Sequence, residues 1–190
     1  MSKKNQEPVV VPSVEQVESE LEKIRYRKRF VRTLLNTLAV LIVVAAAAVL
    51  VSTLFMPVIQ VSGDSMSPTL NHGDILVTIN TDNIKQGDLC CVSWQNKMLL
   101  KRVIGLPGDE ITIEKDGSVY VNSELLDEPY VIKKSMGQCD ITFPYEVPDN
   151  RIFILGDNRE LSVDSRNADI GSIDKDQIIG KVMFRIWPLK

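Results

Sequence analysis

Histidine and cysteine are scarce in this chain. Its 190 residues include one histidine, His72, and three cysteines. Three cysteines are too few for a disulfide framework, and neither a Cys-x-x-Cys pair nor a histidine-rich cluster provides the spacing of a metal site. We therefore expect no metal and no cofactor, and a catalytic apparatus that needs a base has almost no histidine to use.

The three cysteines leave two interpretations open. Cys90 and Cys91 are adjacent in a predicted strand, so their side chains should point to opposite faces. One of them pairs with Cys139 if the domain lies outside the cytoplasm; otherwise all three are simply buried as small apolar residues. We favour burial.

A surplus of basic residues is also absent from the main part of the chain. From Asp64 onward there are 14 basic and 20 acidic residues, whereas the segment up to Arg32 has eight basic and five acidic residues. Phosphate backbones are bound by clustered Lys and Arg, so the acidic part argues against a nucleic-acid partner. The composition, with 44% hydrophobic residues, fits one modest globular domain and a membrane anchor.

Charged residues are absent between Arg32 and Asp64. Within this stretch the run from Leu38 to Pro57 has 20 residues, and a helix of that length spans about 30 Å, the thickness of a hydrocarbon core. Basic residues precede the run at positions 23, 25, 27, 28, 29 and 32. The positive-inside rule therefore predicts a single-pass plasma-membrane protein with a cytoplasmic N-terminus and an extracellular domain.

A cleaved signal peptide is the alternative for this apolar run. The run is too long and begins too late, after an arm of 32 residues, so we favour an uncleaved anchor in the lipid bilayer. The predicted organisation is a disordered cytoplasmic tail over 1–12, an amphipathic juxtamembrane helix over 13–33, a transmembrane helix over 34–57 and an extracytoplasmic β-rich domain over 58–190.

The cytoplasmic arm carries signals for a helix. Ser13 and Gln16 form a predicted capping box at its start. Apolar residues then recur at heptad-like spacing, at Val14, Val17, Leu21, Ile24 and Val31. This repeat is too short to predict a stable coiled coil. It indicates an amphipathic helix that runs on into the span, or a weak homodimer through the arm.

Past the span the apolar residues alternate or form short runs, which is the pattern of β-strands. Asp116-Gly117 separates two such runs and is a strong hairpin signal, and Gln95-Asn96 joins two others. Predicted strands cover Ile75–Ile79, Leu89–Trp94, Lys97–Ile104, Ile111–Glu114, Val119–Asn122, Arg151–Leu155 and Lys181–Ile186. We expect a single β-rich domain.

Ser65 and Lys101 are the candidate catalytic pair. A serine hydroxyl must lose its proton to act as a nucleophile, and a lysine accepts that proton only if burial lowers its pKa from about 10.4. Lys101 shares one face of its predicted strand with Leu99 and Val103, so it lies between two apolar neighbours. The alternatives are an edge-strand lysine that limits aggregation and, as the base, His72 in a polar turn.

Three motifs follow the span in order. They are Ser65-Met66-x-Pro68-Thr69-Leu70, Lys101-Arg102-Val103-x-Gly105-x-Pro107-Gly108-Asp109 and Gly156-Asp157-Asn158-Arg159-x-x-Ser162-x-Asp164-Ser165-Arg166. This ordered set resembles bacterial type I signal peptidases, membrane-anchored Ser–Lys proteases that remove signal peptides from exported preproteins. The resemblance covers the chain from about residue 35 onward. It implies a mostly β fold of packed antiparallel sheets that is partly barrel-like.

The resemblance also implies roles for individual residues. Ser65 would be the nucleophile and Lys101 the general base, with Ser162 hydrogen-bonded to the lysine amine. The other supporting residues would be Asp157 and, as a salt bridge near the site, Asp164 and Arg166.

The expected substrate is an extended peptide that lies alongside strands near the pair. Small apolar pockets would select small residues at alternate positions, which is the small-x-small pattern of signal peptide cleavage sites. The candidate pocket residues are Val61, Leu99, Leu100 and, from the resemblance, Met66. The alternative is that these side chains belong only to the core.

The chain departs from the family pattern two residues before Ser65. Many relatives have a serine there whose hydroxyl helps to stabilise the oxyanion, whereas this chain has Gly63. We expect the Ser65 backbone N–H to be the chief donor, and we do not transfer the role to Ser62.

Other functions remain open. A self-processing Ser–Lys protease is disfavoured by the anchor and by the lack of an N-terminal DNA-reading helix-turn-helix. A non-catalytic binding or scaffolding module has no need of the serine, the apolar lysine and the third motif together, and a zinc peptidase lacks ligands. The favoured interpretation is a membrane-anchored serine endopeptidase.

Overall fold

The computed structural model describes residues 13–188. The tail over 1–12, which the sequence predicts to be disordered, lies outside those residues. The chain forms two compact units with a boundary between Leu50 and Val51. The first unit is helical, and the second contains the described β-strands.

Helix α1 runs unbroken over Val14–Phe55. The predicted capping box forms at its start, where the Ser13 N–H donates to Gln16 Oε1 at 3.0 Å and the Gln16 N–H donates to Ser13 Oγ at 3.4 Å. The helix contains no glycine or proline. It ends shortly before Pro57, because a proline ring disfavours helical geometry at the residue before it. Its Val14–Leu50 part is long and apolar enough to cross a membrane.

The second unit is built from antiparallel strands. They are β1 (Val58–Gln60), β2 (Ile75–Ile79), β3 (Leu89–Trp94), β4 (Lys97–Gly105), β5 (Glu110–Ile113), β6 (Val119–Val121), β7 (Glu124–Leu125), β8 (Tyr145–Glu146), β9 (Arg151–Leu155), β10 (Ile173–Asp174) and β11 (Ile178–Trp187). A short 3-10 helix, Lys175–Gln177, precedes β11. The predicted mostly β, antiparallel fold is confirmed.

The strands form two sheets. The order in the larger sheet is β1-β2-β11-β3-β4-β9-β10, and the order in the smaller sheet is β7-β6-β5-β8. The C-terminal strand β11 therefore lies between β2 and β3, inside the larger sheet. Each sheet ends in two edge strands, so the described strands form no closed barrel.

Turn residues fix the register where the sequence predicts hairpins. Gln95 (φ 44°) and Asn96 (φ 60°) join β3 to β4, both in the left-handed region that the favoured two-residue hairpin turn requires. The bounds of β2, β3 and β9 agree with the prediction. The sequence does not predict β7, β8 or β10, because strands of two residues are too short to show alternation.

Buried apolar clusters position the candidate pair. One cluster flanks Ser65 in the sequence and consists of Val61, Met66, Leu70 and Leu76. Leu100 packs against this cluster, whereas Leu99 and Val103 pack in a second one. Residues two apart share a face of a strand, so Leu99 and Val103 flank Lys101 on its own face of β4, and Leu100 lies on the opposite face.

Candidate active site

Ser65 lies in a turn between β1 and β2. Backbone hydrogen bonds close this turn, from the Ser67 N–H to the Asp64 carbonyl at 3.1 Å and from the Leu70 N–H to the Met66 carbonyl at 2.9 Å. Met66 is 1% exposed, so the residue after the serine anchors the turn in the core. The serine is thereby held at a fixed place on the surface of the domain.

Gly63 gives the turn a conformation that a serine does not readily adopt. Its φ is +89°, in the left-handed region that is strained for residues with a Cβ. Its N–H donates to Nδ1 of the exposed His72 at 3.2 Å. The histidine considered as an alternative base therefore supports the backbone of the turn, while the Ser65 hydroxyl has a different partner.

That partner is Lys101. The lysine Nζ donates to Ser65 Oγ at 2.7 Å, across 36 residues of sequence. Lys101 lies on β4, in the larger sheet, opposite Cys90 of β3, and it is 3% exposed. A side chain this buried does not face solvent, so the interpretation of Lys101 as an exposed edge lysine that limits aggregation is excluded.

Burial lowers the pKa of Lys101 below its ordinary value of 10.5. The carboxylates of Asp164 and Asp157 act against this shift in pKa because they favour the ammonium form, and Arg166 acts with it. Burial has the largest effect, so this amine loses its proton more easily than an exposed lysine does. A neutral amine at 2.7 Å from a hydroxyl is placed to accept the hydroxyl proton.

The segment Gly156–Asn158 holds the other side of Ser65. The Asn158 N–H donates to the Ser65 carbonyl at 3.0 Å, and the Ser162 N–H donates to the Asn158 carbonyl at 3.0 Å. A Cβ on Gly156 would overlap the Ser162 side chain and the Ser65 carbonyl oxygen. The glycine of the third motif is therefore required for close packing beside the serine.

Ser162 does not make the hydrogen bond to Lys101 that the resemblance implies. Its hydroxyl is buried and has no hydrogen-bond partner among residues 13–188. The Lys101 amine donates to Ser65, while the Ser162 side chain packs against Gly156. A buried hydroxyl left unpaired costs about 1–3 kcal/mol, so its position beside Ser65 calls for a functional reason.

Asp164 and Arg166 form a fully buried ion pair. Arg166 Nε and Nη2 donate to the two Asp164 oxygens, each at 2.8 Å, and both side chains are 0% exposed. The Gly156 N–H donates to Asp164 Oδ2 at 2.9 Å, and Arg166 Nη1 donates to the Met136 carbonyl at 2.7 Å. The pair thus fixes the backbone that faces Ser65.

Asp157 pairs with Arg102, a residue to which the sequence analysis gives no role. Arg102 Nε and Nη2 donate to its two carboxylate oxygens at 2.8 and 2.7 Å. The guanidinium also lies over the Tyr130 ring, with Cζ 3.8 Å from the ring centroid. Because Arg102 directly follows Lys101, this pair joins the strand of the amine to the segment that holds the serine.

Glu128 and Arg159 form a second buried ion pair that the sequence analysis missed. Two guanidinium nitrogens of Arg159 donate to the Glu128 carboxylate, and Nε donates to the Gly156 carbonyl at 3.1 Å. The Tyr130 hydroxyl donates to Glu128 at 3.2 Å, and burial raises the pKa of Tyr130 above its ordinary value. Arg159 stands in the third motif, but no pattern marks Glu128, 31 residues away.

A groove of about 190 Å³ opens beside the pair. The predicted pocket residues Val61, Met66, Leu99 and Leu100 all line it. Val61 and Met66 also belong to the core, so both interpretations of these residues apply. The lining residues that the sequence analysis did not assign to pockets are Ile59, Gln60, Ser62, Cys91 and Met98.

All three cysteines are free. Cys90 packs in the core and Cys91 lines the groove, as expected for neighbours on opposite faces of a strand. Burial raises the pKa of the Cys90 thiol to about 12 and that of Cys91 to about 11. Both thiols are therefore protonated at neutral pH, and Cys139 is half-buried.

Comparison with known proteins finds close relatives of this chain. The family model described as "Signal peptidase, peptidase S26" matches residues 33–187. Signal peptidase I of Bacillus amyloliquefaciens is 37% identical over 161 residues, covering 79% of this chain and 85% of the relative. Signal peptidase IB of Staphylococcus aureus strain N315 is 40% identical over 150 residues, covering 67% of this chain and 76% of the relative.

A solved structure also matches in part. The crystal structure of a signal peptidase I from Enterococcus faecalis V583 covers 55% of this chain and 100% of its own, with 26% identity and a TM-score of 0.46.

The Glu128–Arg159 pair generates a stability prediction. We expect Glu128→Ala to lower the free energy of unfolding by about 3–5 kcal/mol, because it leaves the buried guanidinium of Arg159 unpaired. Chemical denaturation of the full chain in detergent, followed by circular dichroism, measures the change. The control is Glu160→Ala, which breaks an exposed pair with Lys133 and should change the free energy by less than about 1 kcal/mol. Equal effects would contradict the assignment.

Proposed function

This chain belongs to the signal peptidase family, peptidase S26, and we propose that it cleaves signal peptides from exported preproteins with Ser65 as the nucleophile and Lys101 as the general base. One observation carries the proposal: a buried lysine amine lies 2.7 Å from a serine hydroxyl beside a groove. Family membership supports a signal-peptide-cleaving protease, and the geometry supports the roles of the two residues.

The first step is attack of Ser65 Oγ on the carbonyl carbon of the scissile peptide bond. The neutral Lys101 amine takes the hydroxyl proton as the C–O bond forms, and it gives this proton to the leaving nitrogen as the C–N bond breaks. The product is an ester between Ser65 and the signal peptide. Water then attacks the ester carbonyl carbon, and Lys101 moves a proton from the water to Ser65 Oγ as the ester C–O bond breaks. The signal peptide leaves with a free carboxyl terminus, and Ser65 regains its hydroxyl.

Each attack places negative charge on the carbonyl oxygen, and hydrogen-bond donors must stabilise it. We assign the Ser65 backbone N–H as the chief donor, because Gly63 has no hydroxyl to contribute. Asp157, Asp164 and Arg166 act as positioning residues, since their contacts fix Gly156–Asn158 against the serine.

The substrate is an extended peptide that adds to the open edge of β4. β9 pairs with β4 only from Arg102 onward, so the edge over Met98–Lys101 is uncovered by any described strand. This edge and β1 border the groove. Side chains at alternate positions of the peptide would enter the small apolar pockets of Val61, Met66, Leu99 and Leu100, which selects small-x-small cleavage sites.

Helix α1 is the proposed membrane anchor. Its apolar window is 0% buried, as lipid-facing side chains require, and the basic residues before it favour a cytoplasmic N-terminus. The protein is then single-pass in the plasma membrane, with residues 58–190 outside the cell. The arm also supports a weak homodimer, because its apolar residues are exposed and a second copy of the arm could cover them. These residues are Val14, Val17, Leu21, Ile24 and Val31.

Cleavage should require both members of the pair. We expect Ser65→Ala and Lys101→Met each to lower kcat/KM for a preprotein by about 10³-fold or more. In the unaltered enzyme kcat/KM should rise with pH as Lys101 loses its proton, with a midpoint below 10.5 because burial lowers its pKa. A pH–rate profile measures both. Retained cleavage by Lys101→Met, or a midpoint at 10.5 or above, would rule out this base.

The control for Lys101→Met is its thermal stability. A lysine whose pKa is lowered in the folded state binds more protons when the chain is unfolded, so stability falls as pH falls from 10.5 toward the folded pKa. An apolar replacement removes this cost, and Tm at pH 7 should stay the same or rise. A Tm several degrees lower would attribute the lost cleavage to damage of the fold.

The unpaired hydroxyl of Ser162 predicts a separation of activity from stability. We propose that it becomes a partner of the Lys101 amine after Ser65 Oγ has bonded to the substrate. Ser162→Ala should then lower kcat about tenfold, while the free energy of unfolding stays unchanged or rises by up to about 1 kcal/mol. Single-turnover cleavage and chemical denaturation measure the two quantities.

Ser165→Ala is the matched control for that variant. Ser165 is equally buried, but its Oγ accepts a hydrogen bond from the Ile154 N–H at 2.9 Å. Its loss should lower the free energy of unfolding by about 1–3 kcal/mol. If Ser162→Ala destabilises the protein as much and leaves kcat intact, the hydroxyl of Ser162 has only a structural role.

The proposed topology predicts which residues a membrane-impermeant maleimide reaches. Asp149→Cys should be labelled in intact cells, whereas Glu18→Cys should be labelled only after permeabilisation; both positions are exposed. Each variant is made in a chain with Cys139→Ser, because Cys90 and Cys91 are buried. Labelling in the reverse order would place the catalytic domain in the cytoplasm.

A further inference from the structure

A second cavity begins next to Ser65. It has a volume of about 210 Å³, and we name it the Lys133 cleft; it is lined by Ser67, Ile132, Lys133, Asp157, Asn158 and Glu160. Two of these residues adjoin the serine, since the Asn158 N–H donates to the Ser65 carbonyl at 3.0 Å and Ser67 belongs to the same turn. Ser65 itself lines the groove, and the Lys133 cleft is a separate cavity that shares no lining residue with it.

The larger sheet directs an extended substrate toward this cleft. The open edge of β4 ends at Lys101, because β9 covers the strand from Arg102 onward. A peptide that runs parallel to β4 along that edge would leave the sheet just past Lys101 with its C-terminal side. Asp157 and Asn158 come shortly after β9 in the chain, and Asp157 binds Arg102 at 2.7 Å. Such a peptide would emerge beside Asp157, which lines the Lys133 cleft.

We propose that the Lys133 cleft is the subsite for the first residues of the mature protein, those that immediately follow the scissile bond. This inference rests on the proposed function, because it takes Ser65 as the nucleophile and the groove as the place of the signal-peptide side. The ligand is a short extended segment that continues past the cleavage site. Its amine nitrogen is the leaving group, so the same cleft is the exit route of the mature chain.

Two accessible charges determine what the cleft accepts. Lys133 Nζ donates to Glu160 Oε1 at 2.5 Å, and these side chains are 71% and 49% exposed. Asp157 adds no free charge, because it is 1% exposed and paired with Arg102. An exposed ion pair is weak, so a charged side chain of the substrate can replace either partner. Ile132, 82% exposed, adds an apolar wall.

The cleft therefore accepts a charge of either sign after the cleavage site. An acidic residue of the substrate would pair with Lys133, and a basic one would pair with Glu160. This tolerance contrasts with the apolar groove, which selects small residues on the signal-peptide side. Reversing one charge of the cleft should convert its tolerance into a preference.

The test uses peptides that share one small-x-small site and carry Lys or Glu at the second residue after the scissile bond. The measured quantity is the ratio of kcat/KM for the Lys peptide to kcat/KM for the Glu peptide. Lys133→Glu should raise this ratio about threefold to tenfold, and Glu160→Lys should lower it by a similar factor. The double variant Lys133→Glu with Glu160→Lys restores opposite charges and should return the ratio close to that of the unaltered enzyme.

Two controls separate a local effect from a general one. Lys115→Glu makes the same change in net charge on the β5–β6 hairpin, which lines neither cavity, and should leave the ratio unchanged. A second pair of peptides carries Lys or Glu at the fourth residue before the scissile bond, and its ratio should not respond to Lys133→Glu. An unchanged ratio for the first pair, or an equal change in both pairs, overturns the assignment of the cleft.

Failure of the proposed function is distinguishable from failure of this assignment. Ser65→Ala must abolish cleavage of every peptide at the shared site. If the unaltered enzyme cleaves none of them, the proposed function is overturned and the cleft assignment with it. If it cleaves them with a ratio that no charge reversal in the cleft changes, only the cleft assignment is overturned.

Discussion

The proposed chemistry of this site depends on one condition. The Lys101 amine must be kept away from water without being held in its charged form. Lys101 is buried inside the larger sheet, and burial lowers its pKa. Nearby carboxylates favour the ammonium, and Asp164 and Asp157 are both near enough to oppose the lowering of the pKa. Each of these carboxylates is bound by an arginine through two hydrogen bonds, and the charge of Arg166 acts with burial to lower the pKa of Lys101. These ion pairs let acidic residues brace the backbone beside the amine that we propose as the base.

These two ion pairs and the Glu128–Arg159 pair also set the geometry of the serine. Contacts from three of them converge on a single short segment: Asp164 binds the Gly156 N–H, Arg159 binds the Gly156 carbonyl, and Arg102 binds Asp157. That segment in turn holds the Ser65 carbonyl through Asn158. Buried ion pairs contribute little net stability compared with apolar packing. Their directional contacts instead fix where the backbone lies, and the reactive hydroxyl depends on that position.

The sequence predicted the features whose signals are local or chemically exclusive. The hairpin dipeptides and apolar runs located most long strands, and a chain with one histidine left Lys101 as the best available base for Ser65. The pairing of Glu128 with Arg159 could not be predicted, because it joins residues 31 positions apart that no periodic pattern relates. The prediction that Ser162 hydrogen-bonds to the Lys101 amine was wrong. The direction of one hydroxyl depends on close packing, which residue types alone do not specify.

The two buried thiols, Cys90 and Cys91, affect how the site tolerates oxidising conditions. Oxidants and alkylating reagents attack accessible thiolates first. The pKa of Cys90 is about 12 and that of Cys91 about 11, so neither is a thiolate at neutral pH, although Cys91 borders the groove. The proposed bond cleavage uses a hydroxyl and an amine, and neither group forms a disulfide or a sulfenic acid. Peroxide or a loss of reducing power therefore leaves the reactive groups intact, and no partner reductase is needed to restore them.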